Sequence, residues 1–450
     1  MEKTVGKMKV HKLKKGYDIK ISDDASRKII EAEYPARVAV KPIDLTGLKP
    51  KPDVQVGDHV KAGDSLAHHK YHPAIKLTAP LSGEVIEIKR GHRRVIERIV
   101  IQTDKKNISR KFDVSVTSGR KKILSVLMES GVFLYLKQRP FNTIPNPDTI
   151  PRDIFISGMN TYPIAPDVDL LLQGNEEFFQ QGLSLLSQVT SGKVHLSMKP
   201  EEKSLFENYS DVEAHLFDGP HPAGNVGVQI HHIAPILNRE DVVWSCSILG
   251  VIQMGKLFTL GQPETNTLVK VSGTAAKNHQ YYKTKIGAAV SSFAQGDKNA
   301  RWISGDVLTG RAIDPDGFLG FFDNLVSIIP EADKVEFLGW ISPGLSKLSM
   351  SRSFLSTYNP LKKAFDLNTK IHGSKRAFVA STLYEKVLPM DILPVFLMKA
   401  VIIEDIEEME HLGIYELAAE DVALCEYICP SKIEWQTILR RGLDLVEKEG

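Results

Sequence analysis

The sequence predicts a multidomain α/β protein, and three observations carry that expectation. Between residues 54 and 101, β-branched residues alternate with glycine turns at a period of two. From about Ser118 the apolar period becomes 3.6, and helical stretches then alternate with short β-branched runs. The last third ends in two stretches of helical spacing separated by Pro430. At 450 residues about three domains are expected on a prior of roughly 150 residues each. The pattern places the breaks so that the segments are 1–111, 112–258, 259–330 and 331–450.

Bulk composition narrows the class. Hydrophobic residues make up 42% and charged residues 25%, the balance of a folded soluble protein. Met1–Val10 alternates lysines with other residues and lacks the apolar core of a signal peptide. The run Val242–Gly255 is 14 residues long and includes serines and a glutamine. That falls short of the roughly 18 apolar residues of a spanning helix. Three cysteines make no disulfide framework. A soluble intracellular chain is expected. Charge is uneven: residues 1–111 hold 25 Lys and Arg against 14 Asp and Glu, a net of +11, so the rest carries −9 of the total of +2. An acidic partner or an anionic membrane face suits that asymmetry, as does a merely solvated basic surface. Nucleic acid is not expected, because no aromatic residues interleave the basic ones.

In chain order, Val5–Ile21 reads as short strands with lysines outward. Val56–Leu66 carries two Gly-Asp pairs, Gly57-Asp58 and Gly63-Asp64, each a turn beside a short apolar strand. With Ala79-Pro80-Leu81-Ser82-Gly83 they resemble the biotinyl/lipoyl domain, a barrel-sandwich hybrid. In carriers of that family, the resemblance implies, the modified lysine sits at a hairpin tip that here falls on His72. Lys70 lacks the carrier context, so attachment is not expected. His68, His69 and His72 have no converging acids or thiols in sequence, and no metal site is expected there.

Ile123, Leu124, Leu127, Met128 and Val132 suit one helix face, and Asn175–Val189 another helix. Arg152–Gly158, Lys193–Met198 and Ala214–Phe217 read as strands, and Val242–Phe258 as strand or helix. Together they predict a Rossmann-like layer with a mainly parallel sheet. Its nucleotide fingerprint is missing. The glycines of Gly219-Pro220-His221-Pro222-Ala223-Gly224-Asn225-Val226-Gly227 fit neither a dinucleotide nor a Walker A loop. Two prolines also remove N–H donors, so a contact loop is expected. Leu268–Gly310, read as short strands around one helix, resembles a soluble-ligand-binding β-grasp (SLBB) module. Gly317–Trp340 reads as apolar strands and Ser342–Asn368 as irregular.

Near the end, Cys425-x3-Cys429-Pro430 is the closing half of a ferredoxin-type cluster motif. The two preceding ligand positions hold Ala419 and Val422, and the one other cysteine is Cys246. Four thiolates cannot be assembled, and packed thiols in a degenerate motif are expected.

The order of these signals is more specific than any one of them. Lys14-Lys15-Gly16 with Ile19, Arg139-Pro140-Phe141, Gly219–Gly224, Ile303-Ser304-Gly305, Gly339-Trp340, Pro389-Met390-Asp391-Ile392-Leu393-Pro394 and Ala423-Leu424-Cys425 resemble the NqrA family of bacterial sodium-translocating NADH:quinone oxidoreductases, nearly end to end. The related RnfC proteins of ion-pumping ferredoxin:NAD oxidoreductases keep the cysteine motifs that this chain lacks. The resemblance implies a peripheral subunit on the cytoplasmic face of the inner membrane. Its complex has six subunits, passes electrons from NADH to ubiquinone or menaquinone and exports sodium. It also implies that no cofactor is bound in this chain. FMN, FAD, riboflavin and Fe-S centres are expected in the five partner subunits (B to F), and the membrane-embedded one, B, is the chief docking partner.

A quinone site needs an apolar slot and donors to two carbonyl oxygens. Phe133, Tyr135, Lys137, Arg139 and Phe141 combine aromatics with cations in one stretch, and His221, His231 and His232 are further donors. No residue is expected to be catalytic by itself. The competing expectations are a purely structural docking role and an RnfC-like electron carrier that has lost its clusters. A free acyl carrier lacks its lysine context, and an autonomous NADH dehydrogenase lacks its fingerprint loop.

Overall fold

The computed structural model describes residues 3–5, 8–23, 25–115, 118–332, 341, 343–345, 347–358, 364–379 and 381–450. Two strands, β1 (Lys3–Val5) and β2 (Met8–Lys12), open the chain and β3 (Ser26–Glu31) follows. Seven short strands come next: β4 (Arg37–Val40), β5 (Pro50–Pro52), β6 (His59–Val60), β7 (Ser65–His69), β8 (Lys76–Thr78), β9 (Gly83–Arg90) and β10 (Ile96–Thr103). The α/β layer runs α1 (Arg120–Ser130), β11 (Leu136–Arg139), β12 (Ile154–Ser157), α2 (Val168–Leu172), α3 (Glu176–Leu186), β13 (Val194–Met198), β14 (Glu213–Asp218), α4 (Val226–Ile233), β15 (Val243–Ser247) and α5 (Ile248–Leu260). Then come β16 (Asn266–Ser272), β17 (Gln280–Lys285), β18 (Arg301–Ser304), β19 (Arg311–Ile313) and β20 (Leu325–Ile329). Four helices close the chain: α6 (Pro394–Ile403), α7 (Ile406–His411), α8 (Ala423–Ile428) and α9 (Trp435–Glu449).

Strands β4–β10 form two small sheets, β4-β10-β9-β6 and β5-β7-β8. Leu66, Leu77, Val85, Ile99 and Ile101 are fully buried between them. This is the sandwich that the Gly-Asp turns and alternating pattern predict. His72 lies in the turn between β7 and β8.

The central sheet has the order β1-β2-β14-β13-β12-β15-β11. β12 pairs in parallel with both β13 and β15, whereas β11 adds antiparallel on β15. Parallel strands covered by helices are buried on both faces, and the residues of β12 alternate accordingly. Ile154 and Ile156 join the core that holds Leu183 of α3 and Val251 of α5. Phe155 instead joins Val228 and Ile230 of α4, together with the C-terminal helices. Helices α3 and α5 approach closely because Gly182 and Gly255 face each other's backbones. A Cβ on either would strike the carbonyl oxygen of Val251 or Phe178.

Several elements depart from the sequence pattern. Residues 3–12 and 26–31, which the pattern assigns to segment 1–111, pair elsewhere. β2 runs parallel to β14, and β3 parallel to β17. In both places the added strand covers an edge that would otherwise expose unpaired backbone. Val242–Phe258 is both alternatives in succession, with Ser247 turning strand into helix by accepting the Gly250 N–H at 3.2 Å. The helix expected within Leu268–Gly310 is absent among the described residues, and Val290–Ser292 forms a single 3-10 turn. A run that short between Gly287 and Gly296 cannot offset helix nucleation. The first C-terminal stretch breaks into 3-10 turns at Ile414–Glu416 and Ala419–Val422 before α8, because Leu417 and Ala418 are extended. Gly339-Trp340 and most of the stretch predicted as apolar strand after residue 332 lie outside the described residues. Among the described residues no helix is long and apolar enough to cross a membrane.

One buried ion pair fastens the C-terminal segment to the sheet. Arg139, at the end of β11, is fully buried, and its guanidinium lies 3.0 Å from Asp421 and 2.9 Å from Glu420. Asp421 is also buried and accepts the Ala418 N–H at 2.9 Å. It lies against Gly227 of α4 so closely that a Cβ there would overlap its carboxylate. A buried charge stripped of its partner costs about 3–5 kcal/mol. Arg139→Met and Asp421→Asn should each lower unfolding free energy by that order in urea titrations. The double variant Arg139→Met/Asp421→Leu should recover much of the loss.

Candidate functional site

In an open α/β sheet, ligands bind beyond the carboxyl ends of the strands, where the strand order reverses. Here that place lies between β12 and β15, since the chain moves from β12 outward through β13 and β14 and then returns to β15 on the other side. A cavity of about 250 Å³ opens there. Its floor is Ser157 at the end of β12 and Met159 and Asn160 after it, with Ser245, Cys246 and Ser247 at the end of β15. The volume is just below the roughly 300–1,000 Å³ of drug-sized pockets, the scale of a single ring system.

Three other parts of the chain complete the wall. β11 and the turn before it contribute Lys137 and Tyr135, the β-grasp region contributes Asp306, Thr309 and Phe322, and the C-terminal segment contributes Glu420. Three contacts hold Phe322: Lys137 Nζ lies 4.6 Å from its ring centre, and Phe321 and Tyr135 meet it edge-on at 5.0 Å and 6.2 Å. The loop at 218–227 supplies His221, Gly224 and Asn225. It is clamped on β12, with the Ser157 hydroxyl donating to the Gly224 carbonyl at 2.8 Å and Gln229 donating to Ser157 at 3.0 Å. The prolines that spoil a phosphate cradle here shape the loop so that His221 is buried. Its backbone N–H donates to Asp18 at 2.9 Å. The Thr161 hydroxyl accepts the Gly224 N–H and lies 3.1 Å from His221 Nδ1.

Burial shifts several lining groups toward their uncharged forms. It pushes the His221 imidazole down to about 4 and the Cys246 thiol up to about 12. The Tyr135 and Tyr162 phenols are likewise held well above their ordinary range by desolvation. Burial also raises the Asp306 carboxyl, against the hydrogen bonds it accepts from Thr309 and from the Leu308 N–H. The N-terminal ends of α4 (capped at Asn225) and α5 (capped at Ser247) both border the cavity and add positive partial charge. The result is a small slot with neutral hydrogen-bond donors, one lysine and two helix ends.

The residues singled out from sequence divide between this cavity and the interior. Tyr135, Lys137 and His221 line it together. Phe133 is core, edge-on to Trp244 at 6.0 Å. Arg139 is taken up by Asp421 and Glu420, so its donors face acids and it stands behind the Glu420 wall. Phe141 is buried against Tyr415 at 5.9 Å. His231 pairs with Glu416 at 2.7 Å and His232 with the Pro389 carbonyl at 2.8 Å, both outside the cavity. Cys425 and Cys429 are fully buried, with the Tyr384 hydroxyl 3.2 Å from the Cys429 sulfur. The hairpin histidines hold ordinary structural bonds. His68 meets Asp53 at 2.5 Å, an acid that sequence spacing does not bring there, and His69 accepts the N–H groups of Tyr71 and His72. Sequence reasoning missed Asn160, Ser245, Asp306 and Phe322. The usable signal was polar residues at the carboxyl end of an apolar strand, Ser157-Gly158 and Ser245-Cys246-Ser247.

Comparison with known proteins agrees with this architecture. Three family models match in series: the NqrA N-terminal barrel-sandwich hybrid domain at 11–104, the NqrA second alpha/beta domain at 118–263, and the NQRA C-terminal domain at 268–314. The NqrA protein of the Na(+)-translocating NADH-quinone reductase of Vibrio alginolyticus is 37% identical over 97% of this chain and 99% of its own length. The counterpart from Psychromonas ingrahamii is 37% identical over the same shares. That of Alcanivorax borkumensis is also 37% identical, over 98% of this chain and all of its own length. The chain belongs to the NqrA family of Na(+)-translocating NADH-quinone reductase subunits.

Proposed function

We propose that the chain works as a peripheral subunit of a sodium-pumping NADH:quinone oxidoreductase and that the cavity between β12 and β15 receives the quinone head group. The observation that carries this reading is the gathering of Tyr135, Lys137 and His221 around a one-ring slot at the switch point. Reduction of a quinone turns two carbonyl oxygens into hydroxyls, so negative charge and then protons arrive at those oxygens. Lys137 and the ends of α4 and α5 favour the charge. Neutral Tyr135 and His221 donate hydrogen bonds without themselves carrying charge into a buried place. In this reading the flavins and Fe-S centres belong to the other five members of the complex. Docking on the membrane-embedded member of the complex, from the cytoplasmic face, completes the reading. The exposed Leu393, Phe396 and Ile403 of the α6 region form an apolar patch suited to such a contact.

Quinone titration of the full chain, and of the assembled complex, followed by tryptophan fluorescence tests the site. Lys137→Met and Tyr135→Phe should each weaken binding by roughly 3- to 10-fold, the worth of one lost hydrogen bond. Unchanged affinity in both variants, with folding intact, would remove the cavity from quinone chemistry and leave a docking role.

The state of His221 is also testable. Its imidazole titrates near 4 in the fold against 6.5 ordinarily. As pH falls from 6.5 the unfolded chain takes up a proton there and the folded chain does not, so the stability present above 6.5 is lost progressively toward pH 4. Urea midpoints should fall over that window, and His221→Gln should reduce the fall by about 2–3 kcal/mol.

A further inference from the structure

At the opposite end of the central sheet, strand register brings three ligating side chains together. His195 on β13 stands opposite Glu213 on β14, and Ser197 opposite His215. Residues 195, 213 and 215 therefore share one face, with His195 between the other two. His195 Nδ1 lies 3.0 Å from His215 Nε2, and one ligand atom from each of the three residues lies within 4.8 Å of the others. Both histidines are buried, and Glu213 sits at the solvent side with Lys193 as its ion partner. Among the described residues no other cluster of this kind occurs.

We propose that His195, His215 and Glu213 form a binding site for a zinc-class divalent cation, with Asp153 as the orienting group. Two imidazoles and one carboxylate, with water in the fourth place, make a tetrahedral donor set. With metal–nitrogen bonds of about 2.0–2.1 Å, two ligating nitrogens stand roughly 3.3 Å apart, a small opening of the present pair. Metal-bound imidazoles characteristically present their second nitrogen to a carboxylate. Asp153 Oδ1 lies 3.7 Å from His195 Nε2, on the side of the ring away from His215, and leaves Nδ1 for the metal. The far side of the histidine is fixed by Phe155, stacked on it at 4.7 Å. His215 Nδ1 is buried without a hydrogen-bond partner. Lys193 is the built-in competitor, because its ammonium holds the carboxylate that the metal needs. The site would clamp β13 to β14 and acts at the end of the sheet away from the cavity.

The test is a zinc titration of the full, metal-stripped chain against a chromophoric chelator, repeated with cobalt(II) for its tetrahedral visible absorption. One equivalent should bind with that spectrum. His195→Gln and His215→Gln should abolish it, Asp153→Asn should weaken it by 10- to 100-fold, and Lys193→Met should tighten it by roughly two- to fivefold. Absence of stoichiometric binding would overturn the proposal. So would binding that survives both histidine variants, or that disappears in His72→Gln and so belongs to the hairpin. If the histidine variants fail to fold, Lys193→Met decides: tightening supports the site, and unchanged affinity overturns it.

Discussion

Two charges that cannot reach water must be held together, and much of this molecule is arranged around one such pair. Arg139 ends β11 and Asp421 opens the segment leading to α8, yet both are buried. Their bond obliges the C-terminal helices to lie on the face of the sheet that carries Phe155 and α4. Gly227 is the cost at the helix, since no larger residue leaves room for the carboxylate. Neighbouring Glu420 takes the other arm of the guanidinium and turns its remaining surface to the cavity. A replacement by apolar residues of equal volume need not be less stable. What the ions add is a fixed meeting point between segments about 280 residues apart.

The cavity depends on that meeting. Its lining comes from the α/β layer, the β-grasp region and the C-terminal segment together. The α/β layer supplies the switch point and helix ends, which any doubly wound sheet provides. The other two parts narrow the opening and add Phe322, Asp306 and Glu420. The difference from a nucleotide site is therefore twofold: the glycine loop has prolines where N–H donors would stand, and the space between the three parts is small.

Local pattern made much of the fold legible. The period-two stretch, the strands at 154–157, 194–198 and 213–218, and the helices at 120–130 and 176–186 are where apolar spacing puts them. The departures share a cause. β2 and β3 carry no sign of the strands they join, because pairing across 200 residues leaves no local mark. The same holds at the site. Tyr135 and Lys137 were visible as an aromatic-cationic run, but alternation along β11 could not tell that Arg139, on the same face as Lys137, meets Asp421. Asp306 and Phe322 reach the cavity through tertiary packing alone. His195, Glu213 and His215 form no motif either, since parallel register, set by the crossover between two strands, is what aligns them.

The pairing of β2 with β14 has a consequence for synthesis. Lys9 leaves the ribosome roughly 200 residues before His215, its partner in register. At about 5–20 residues per second that is a wait of on the order of 10–40 s. During it the barrel-sandwich and most of the α/β layer are already available to fold, while β2 has only β1 beside it and its other edge stays open. Lys9 and Lys12 on that strand, charged and outward, discourage its pairing with other nascent chains. The early basic residues thus serve as a guard on a strand whose seat is made roughly 200 residues later.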